Sequence, residues 1–395
     1  MARRWPVVVL ASAVLLLGVA VLLLPRASTQ GGDPAAATGL GGCSPLSDPA
    51  GAAGYEAALA AFADPDFLGA DVGLSLRLPD GRLVWMYGDT TRRPHAEERT
   101  VRNSMVLDIG RCRHLVRFPQ GGAAIPDRDD GIGYWPTAML ARRHEGMTTL
   151  YVMAQRVRPA TNDLGFVILG PAIAEYDVPD NGAPVLRSVT DLGPDDSARI
   201  GWGAALAEGD DGWWYVYGTR HPGATDAFGW EVHVARTRAG TLGNVSAWEY
   251  WDGSDWVDRA DRSVDVIPAD GGVSQTFSVI RRDGAQGTTW YAVSKRDGDL
   301  GTDLAVWAAP AAEGPFGTAV PVGLIPNDAR IVRYMPLAHP DLTPATADAI
   351  VVSVSRNSLD PQVLAQDPLL YRPFFVDVSL PPLPSGRWLD QRHSD

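Results

Sequence analysis

The stretch "DGRLVWMYGDTT", residues 80–91, sets an Asp-Gly turn before an apolar run that ends on Gly88 and Asp89. The run Leu83 to Tyr87 is rich in β-forming side chains and bounded by turn residues, so it reads as a strand. Its ending has two readings: an Asp that caps its own turn, or a strand that delivers a carboxylate to a defined place. Repetition elsewhere in the chain favours delivery. The runs "MTTLYVMAQR" (147–156), "GWWYVYGTR" (212–220), "TTWYAVSKR" (288–296) and "DAIVVSVSRN" (348–357) are likewise short, apolar and closed by a polar cluster. They recur every 60 to 75 residues or so, a period that fits a multi-stranded blade with its loops and is too long for helical repeats.

Their surroundings repeat as well. A strand and a turn precede each run ("DVGLSLRLPDG", "YWPTAMLARRHEG", "GWGAALAEGDDG", "SQTFSVIRRDGA", "YMPLAHPDLTPATA"). A third strand follows each ("NSMVLDIG", "GFVILGPAI", "WEVHVARTRAG", "DLAVWAAP", "YRPFFVDV"). Five such units predict an all-β, five-bladed β-propeller over residues 46–385. One short helix is expected near Tyr55 to Phe62, and no segment stands out as the strand that closes the ring.

The bulk properties agree. The 395 residues are 45% hydrophobic and 21% charged, ample for a large core, and 42 Gly with 31 Pro favour turns over long helices. A net charge of -13, with no basic run beyond the N-terminus, excludes a phosphate-binding surface and hence nucleic acid as a partner. It suits a neutral or cationic small molecule or a glycan.

At the N-terminus, Arg3 and Arg4 precede "WPVVVLASAVLLLGVAVLLLP" (5–25), which carries no charge. The run is long enough to cross a bilayer as a helix and longer than the usual core of a cleaved signal. Residues 1–26 are therefore expected to be a signal anchor, with a cleaved signal peptide as the alternative. The basic flank puts everything after Arg26 outside the cytoplasm. The chain would then be a single-pass membrane protein, or a secreted one if the signal is removed. Residues 27–45 are rich in small and polar residues and read as a flexible tether. The two cysteines, Cys43 and Cys112, are expected to pair in an exported protein, with free thiols as the alternative.

In a propeller the first strand of each blade lines the channel and the second runs antiparallel beside it. The start of the first strand, the end of the second and the start of the third then share one face. Around the ring that face carries Asp71, Asp89 and Asn103, then Trp135, Gln155 and Arg156, then Trp202, Arg220, His221 and Glu231. Gln275, Lys295, Arg296, Asp303, Tyr334, Arg356, Asn357 and Arg372 complete it. The opposite hairpin ends carry plain turn residues such as Pro79-Asp80-Gly81. Cleaving a glycosidic bond takes two carboxyl groups, and Asp71 and Asp89 are placed to raise one another's pKa. Asp71 is the expected base or nucleophile and Asp89 its partner. Glu231 is the expected acid across the channel, with Asp303 as its substitute.

Arg156, Arg220, Lys295 and Arg356 occupy matching positions and would hold substrate, or else pair with the acids structurally. Trp135 and Trp202 would stack on a sugar or fill the core, while Asn103, Asp303 and Asn357 complete the expected substrate-binding set. His339 reads as structural. Metal-ligand Cys/His spacing, a phosphate loop and a nucleophile elbow are all missing from the sequence, so neither metal nor cofactor is expected.

The segments "VGLSLRLPDGRLVWMYGDT", "NSMVL", "YWPTAML", "GWGAAL", "YVYGTR", "SAWEYWDGSDW", "YMPLAHPDL" and "DPLLYRPFFV" together resemble a bacterial five-bladed-propeller family, over about residues 66–380. That family was long catalogued as a domain of unknown function, and some relatives are classed as endo-D-arabinanases. The chain departs from the pattern at "YGTR", where Arg220 occupies a region that is acidic in some relatives. The resemblance implies a glycoside hydrolase acting on a furanosyl polysaccharide, with D-arabinan of the cell envelope as the candidate. The competing reading is a non-catalytic surface propeller that binds a glycan or a protein.

Overall fold

The computed structural model describes residues 38–382 apart from 95, 97, 163, 164, 224–227, 285, 286 and 359. The apolar run 5–25 and most of the expected tether lie outside the described residues. Five antiparallel sheets follow one another along the chain. Their innermost strands are Gly69–Arg77, Gly133–His144, Gly201–Glu208, Ser278–Gly284 and Ile331–His339. Each neighbours the next, and the last returns to the first, which closes a five-bladed β-propeller.

Sequence alternation explains the stacking. Along a strand, successive side chains point to opposite faces. A blade has a neighbour on both faces, so its central strands are apolar throughout. In the strand Leu83–Thr91, Val84 and Met86 enter the core shared with blade 2. Leu83, Trp85 and Tyr87 enter the core on the other side. The same division recurs in blade 3, where Trp214 and Val216 face blade 2 while Tyr215 and Tyr217 face blade 4. In blade 4, Trp290 and Ala292 face back and Tyr291 and Val293 face forward. Trp85 is 1% exposed and satisfies its indole N–H on Asp108 Oδ2 at 2.9 Å. Burying a side chain of this kind contributes about 2–3 kcal/mol.

The ring closes without a shared strand. Blade 5 has three strands, Ile331–His339, Ala349–Ser358 and Phe374–Ser379. Beside it lies the helix Gly51–Ala60, whose Tyr55 and Leu59, with Phe62, share one core with Trp85 of blade 1 and Phe375 of blade 5. The Ala52 N–H donates to Asp377 Oδ2 at 2.8 Å, and Tyr55 Oη accepts from Thr343 N at 2.9 Å. Arg372 spans the seam by donating to the carbonyls of Phe67, Phe62 and Leu68 at 3.0, 3.1 and 3.1 Å. Its buried guanidinium thus replaces a strand as the clasp.

Ordered sheet begins inside the stretch expected to be a tether. Gly39–Leu40 and Ser44–Pro45 pair with Cys112–Arg117 on the outer edge of blade 1. A disulfide joins Cys43 to Cys112 between those short strands. Among the described residues no helix is long and apolar enough to cross a membrane.

Candidate active site

Four of the five innermost strands enter the channel face through an irregularity. The register slips at Ala70/Val72 and again at Val72/Leu74 in blade 1, at Pro136/Ala138 in blade 2, at Trp202/Ala205 in blade 3 and at Tyr334/Pro336 in blade 5. Bulges of this kind re-aim side chains at one end of a strand. Two of them hold non-glycine residues at positive φ, Val72 at 66° and Met335 at 50°. For a β-branched residue that conformation is strained, and strain of about 1–3 kcal/mol persists only where neighbours impose it. Here they do. Val72 N–H donates to Ser355 Oγ and Met335 N–H to Asp299 Oδ1, each at 3.0 Å.

The slip in blade 1 brings Asp71 opposite the Gly88–Asp89 step. A methyl group at Gly88 would lie 2.3 Å from Asp71 Oδ1 and 2.8 Å from Val72 Cγ2. So Gly88 is required by the Asp71 carboxylate resting against the strand there, and Asp89 follows it into the same cleft. Asp71 Oδ2 accepts from Tyr334 Oη at 2.7 Å, and Tyr371 also donates to it. Asp89 Oδ1 accepts from Trp135 Nε1 at 2.9 Å. Burial raises the Asp71 carboxyl to about 6 against the pull of the two tyrosine hydroxyls. Burial and then the charge of Asp71 raise Asp89 to about 7, with the Trp135 hydrogen bond opposing. Two neighbouring carboxyls in one cleft are thus both held well above the ordinary carboxylate range.

The cleft around them encloses about 830 Å³ including its open mouth. Trp135 and Phe166, with ring centroids 4.6 Å apart and perpendicular, form its apolar wall. Gln155, Gln275, Asp299, Tyr334 and Asn357 supply polar lining from blades 2, 4 and 5. Among the described residues neither Arg nor Lys lines it.

Of the expected catalytic and substrate-binding residues, Asp71, Asp89, Trp135 and Asn357 line this cleft, together with Gln155, Gln275 and Tyr334 from the same expected face. The other expected catalytic and binding residues are engaged elsewhere. Glu231 is held by Arg220 Nε at 2.5 Å and His233 Nε2 at 3.0 Å, and the bonds to His233 and Arg220 outweigh partial burial and keep its carboxyl below the usual range. That corrects its expected place as an acid across the channel, and it occupies Arg220 as well. Arg156 is 1% exposed and donates to Asp195 Oδ1 at 2.6 Å and to the Pro194 carbonyl at 2.8 Å. Asn103 is fully buried and bridges Ile125 and the Tyr134 carbonyl. Trp202 packs on Tyr250 and Trp248, at 5.3 and 6.3 Å between centroids. Asp303 pairs with Arg296 at 2.5 Å. Arg356 donates to the Arg372 carbonyl at 3.0 Å and lies on Phe374. Lys295 is fully buried and donates to the carbonyls of Asp299 and Arg333 at 2.9 and 2.6 Å, which pins the loop that carries Asp299.

Sequence reasoning missed Asp299 and Phe166. Asp299 sits in the loop after the second strand of blade 4, in a run "KRDGDLGTD" where nothing distinguishes one acid from the next. Phe166 opens a third strand, the position inspected for polar residues only. His339, buried between Ser75 Oγ and Ser353 Oγ at 2.7 and 2.8 Å, is held in the core.

Comparison with known proteins bears on the fold. A crystallised candidate hydrolase from Bacteroides ovatus shares 20% identity with this chain, over 80% of it and 87% of the other, with a TM-score of 0.60. The compost-metagenome β-xylosidase/α-arabinofuranosidase CoXyl43 covers 82% of this chain and 94% of its own at 12% identity and a TM-score of 0.45. A mutant α-L-arabinanase from Cellvibrio cellulosa covers 81% and 94% at 14% identity and 0.41. The first likeness shows a common fold, and the other two are too distant to carry an argument. Among curated proteins none matches in sequence. The family described as a domain of unknown function (DUF5005) matches residues 62–380, which takes in all five blades, and the chain belongs to it.

Proposed function

We propose that this propeller is a glycoside hydrolase that cleaves a neutral furanosyl polysaccharide, with D-arabinan of the cell envelope as its substrate. The observation that carries the reading is the pair Asp71 and Asp89, two buried carboxyls raised to about 6 and about 7 in one cleft with an aromatic wall. The Tyr334 and Tyr371 hydroxyls donate to Asp71, which suits it as the ionised partner, and Asp89 then carries the proton. Asp71 and Asp89 lie on adjacent strands of one blade at the register slip, and closely spaced carboxyls are the arrangement of retaining glycosidases. The pair thus suits a double displacement. The Asp71 carboxylate attacks the anomeric carbon while the Asp89 proton passes to the leaving oxygen. Water then attacks the glycosyl ester, Asp89 takes its proton, and Asp71 is released.

A cleft lined by carboxylates and lacking cations rejects anionic sugars such as uronates by repulsion. The family resemblance supplies the choice of arabinan. The Cys43–Cys112 disulfide supports placement outside the cytoplasm, with residues 1–26 as anchor or signal. The test is incubation of the protein with D-arabinan and other neutral envelope glycans. New reducing ends of retained configuration by NMR support the reading. Release from none of them, or equal release by Asp71→Asn and Asp89→Asn, overturns it.

A further inference from the structure

The cleft holds two hydroxyl acceptors that the proton chemistry does not use, one on each side of the carboxyl pair. Gln155 lies within the second strand of blade 2, Met147–Pro159, and is 3% exposed. Its Nε2 donates to the Trp202 carbonyl at 3.4 Å, and Gly201 leaves room for it, since a methyl group there would come within 3.2 Å of that nitrogen. A carbonyl can be met only by the amide N–H, so the amide orientation follows from this contact. Gln155 Oε1 then has no hydrogen-bond partner although it is buried. A buried acceptor without a donor is unfavourable, and at a cleft wall it marks where a ligand donates.

On the other side, Asp299 is 8% exposed and lines the same cleft. One oxygen accepts the Met335 N–H at 3.0 Å, and its backbone carbonyl takes Lys295 Nζ at 2.9 Å and Asn327 Nδ2 at 3.2 Å. The Ser274 hydroxyl also bonds the carboxyl, so the loop is fixed while Asp299 contributes to the cleft lining. Trp135 and Phe166 lie beside Gln155 and offer the ring an apolar face.

We infer that Gln155 and Asp299 are specificity determinants that together read two free hydroxyls of one neutral sugar ring seated at the Asp71–Asp89 pair. The inference rests on the glycan reading of that cleft and narrows its substrate class. A sugar substituted or branched at either hydroxyl places no donor on these acceptors and is excluded. The cleft takes an unbranched, unmodified unit of the chain.

Binding tests this apart from catalysis. The Asp89→Asn full-length protein is titrated calorimetrically with α-(1→5)-linked D-arabinotetraose, arabinobiose and xylotriose. At least one is expected to bind, and that binding should weaken about tenfold to a hundredfold when Gln155→Leu or Asp299→Ala is added. Gln155→Glu, which keeps an acceptor, should restore part of it. Deoxy versions of the bound sugar should lose affinity in the parent, and the loss should vanish in the variant whose hydroxyl partner is already gone. The inference is overturned if none of the three sugars binds, if both variants bind as the parent does, or if the deoxy penalty is unchanged in them. Binding that depends on Gln155 and Asp299, in a wild-type protein that releases no reducing ends, would keep the site and remove the hydrolase.

Discussion

Replacing Asp89 with Asn should make the protein more stable, and more so as pH rises. The Asp89 carboxyl is raised from 3.8 to about 7, chiefly by burial and by the charge of Asp71. Above pH 3.8 the unfolded chain gives up this proton while the folded protein keeps it until about pH 7. In that window the folded state binds more protons, so stability falls as pH rises and is lowest above the folded pKa. A shift of about three units corresponds to about 4 kcal/mol at 1.36 kcal/mol per unit. By pH 5 only about a third of that has been lost, so about 2–3 kcal/mol remains to separate pH 5 from pH 8. Asn keeps an oxygen for Trp135 Nε1, and it carries no charge to bury. Urea unfolding of wild type and Asp89→Asn at pH 5 and pH 8 measures the difference. The variant's advantage should grow by about 2–3 kcal/mol between the two. An advantage independent of pH, or a variant less stable at pH 8, would refute the placement of Asp89 as a buried acid.

Three further outcomes follow from single contacts. Gly88→Ala drives a methyl group against Asp71 Oδ1, so activity should fall by about a hundredfold or more for a stability loss of only about 1–3 kcal/mol, read from kcat and from urea midpoints. Arg156→Ala leaves buried carbonyls without a donor and Asp195 with only Arg128; thermal melts should show a loss of about 1–3 kcal/mol, with KM unchanged in whatever remains folded. Replacing Cys43 and Cys112 with Ser opens a link across 69 residues and should cost about 4 kcal/mol in chemical denaturation, while leaving the distant cleft and its activity intact.

Much of the ring was legible because blades repeat. A strand such as Leu83–Thr91, buried on both sides, carries apolar residues at both parities, and five copies at similar spacing leave few other folds. The closing seam was not legible, since it consists of a helix and the Arg372 clasp rather than another strand. Asp71 and Asp89 were legible because strand ends of one polarity share a face.

The basic set misled for a reason of parity. Gln155 and Asn357 line the cleft while their neighbours Arg156 and Arg356 do not, because adjacent strand residues point to opposite sides. Charge favoured Arg156 over Gln155 as a substrate contact, and it added Arg356 to a set in which Asn357 was the residue that reaches the cleft. Glu231 was expected as an acid, but Arg220 lies directly opposite it in the register, and that partner could not be known before the strands were paired.

The central claim is that Asp71 and Asp89 cut a sugar chain. Its most direct measurement is reducing-end release from purified D-arabinan by the full chain, beside Asp71→Asn and Asp89→Asn. The account predicts steady release by the wild type and loss of it in both variants, with each variant still folded by circular dichroism. Release by both variants at the wild-type rate would contradict it.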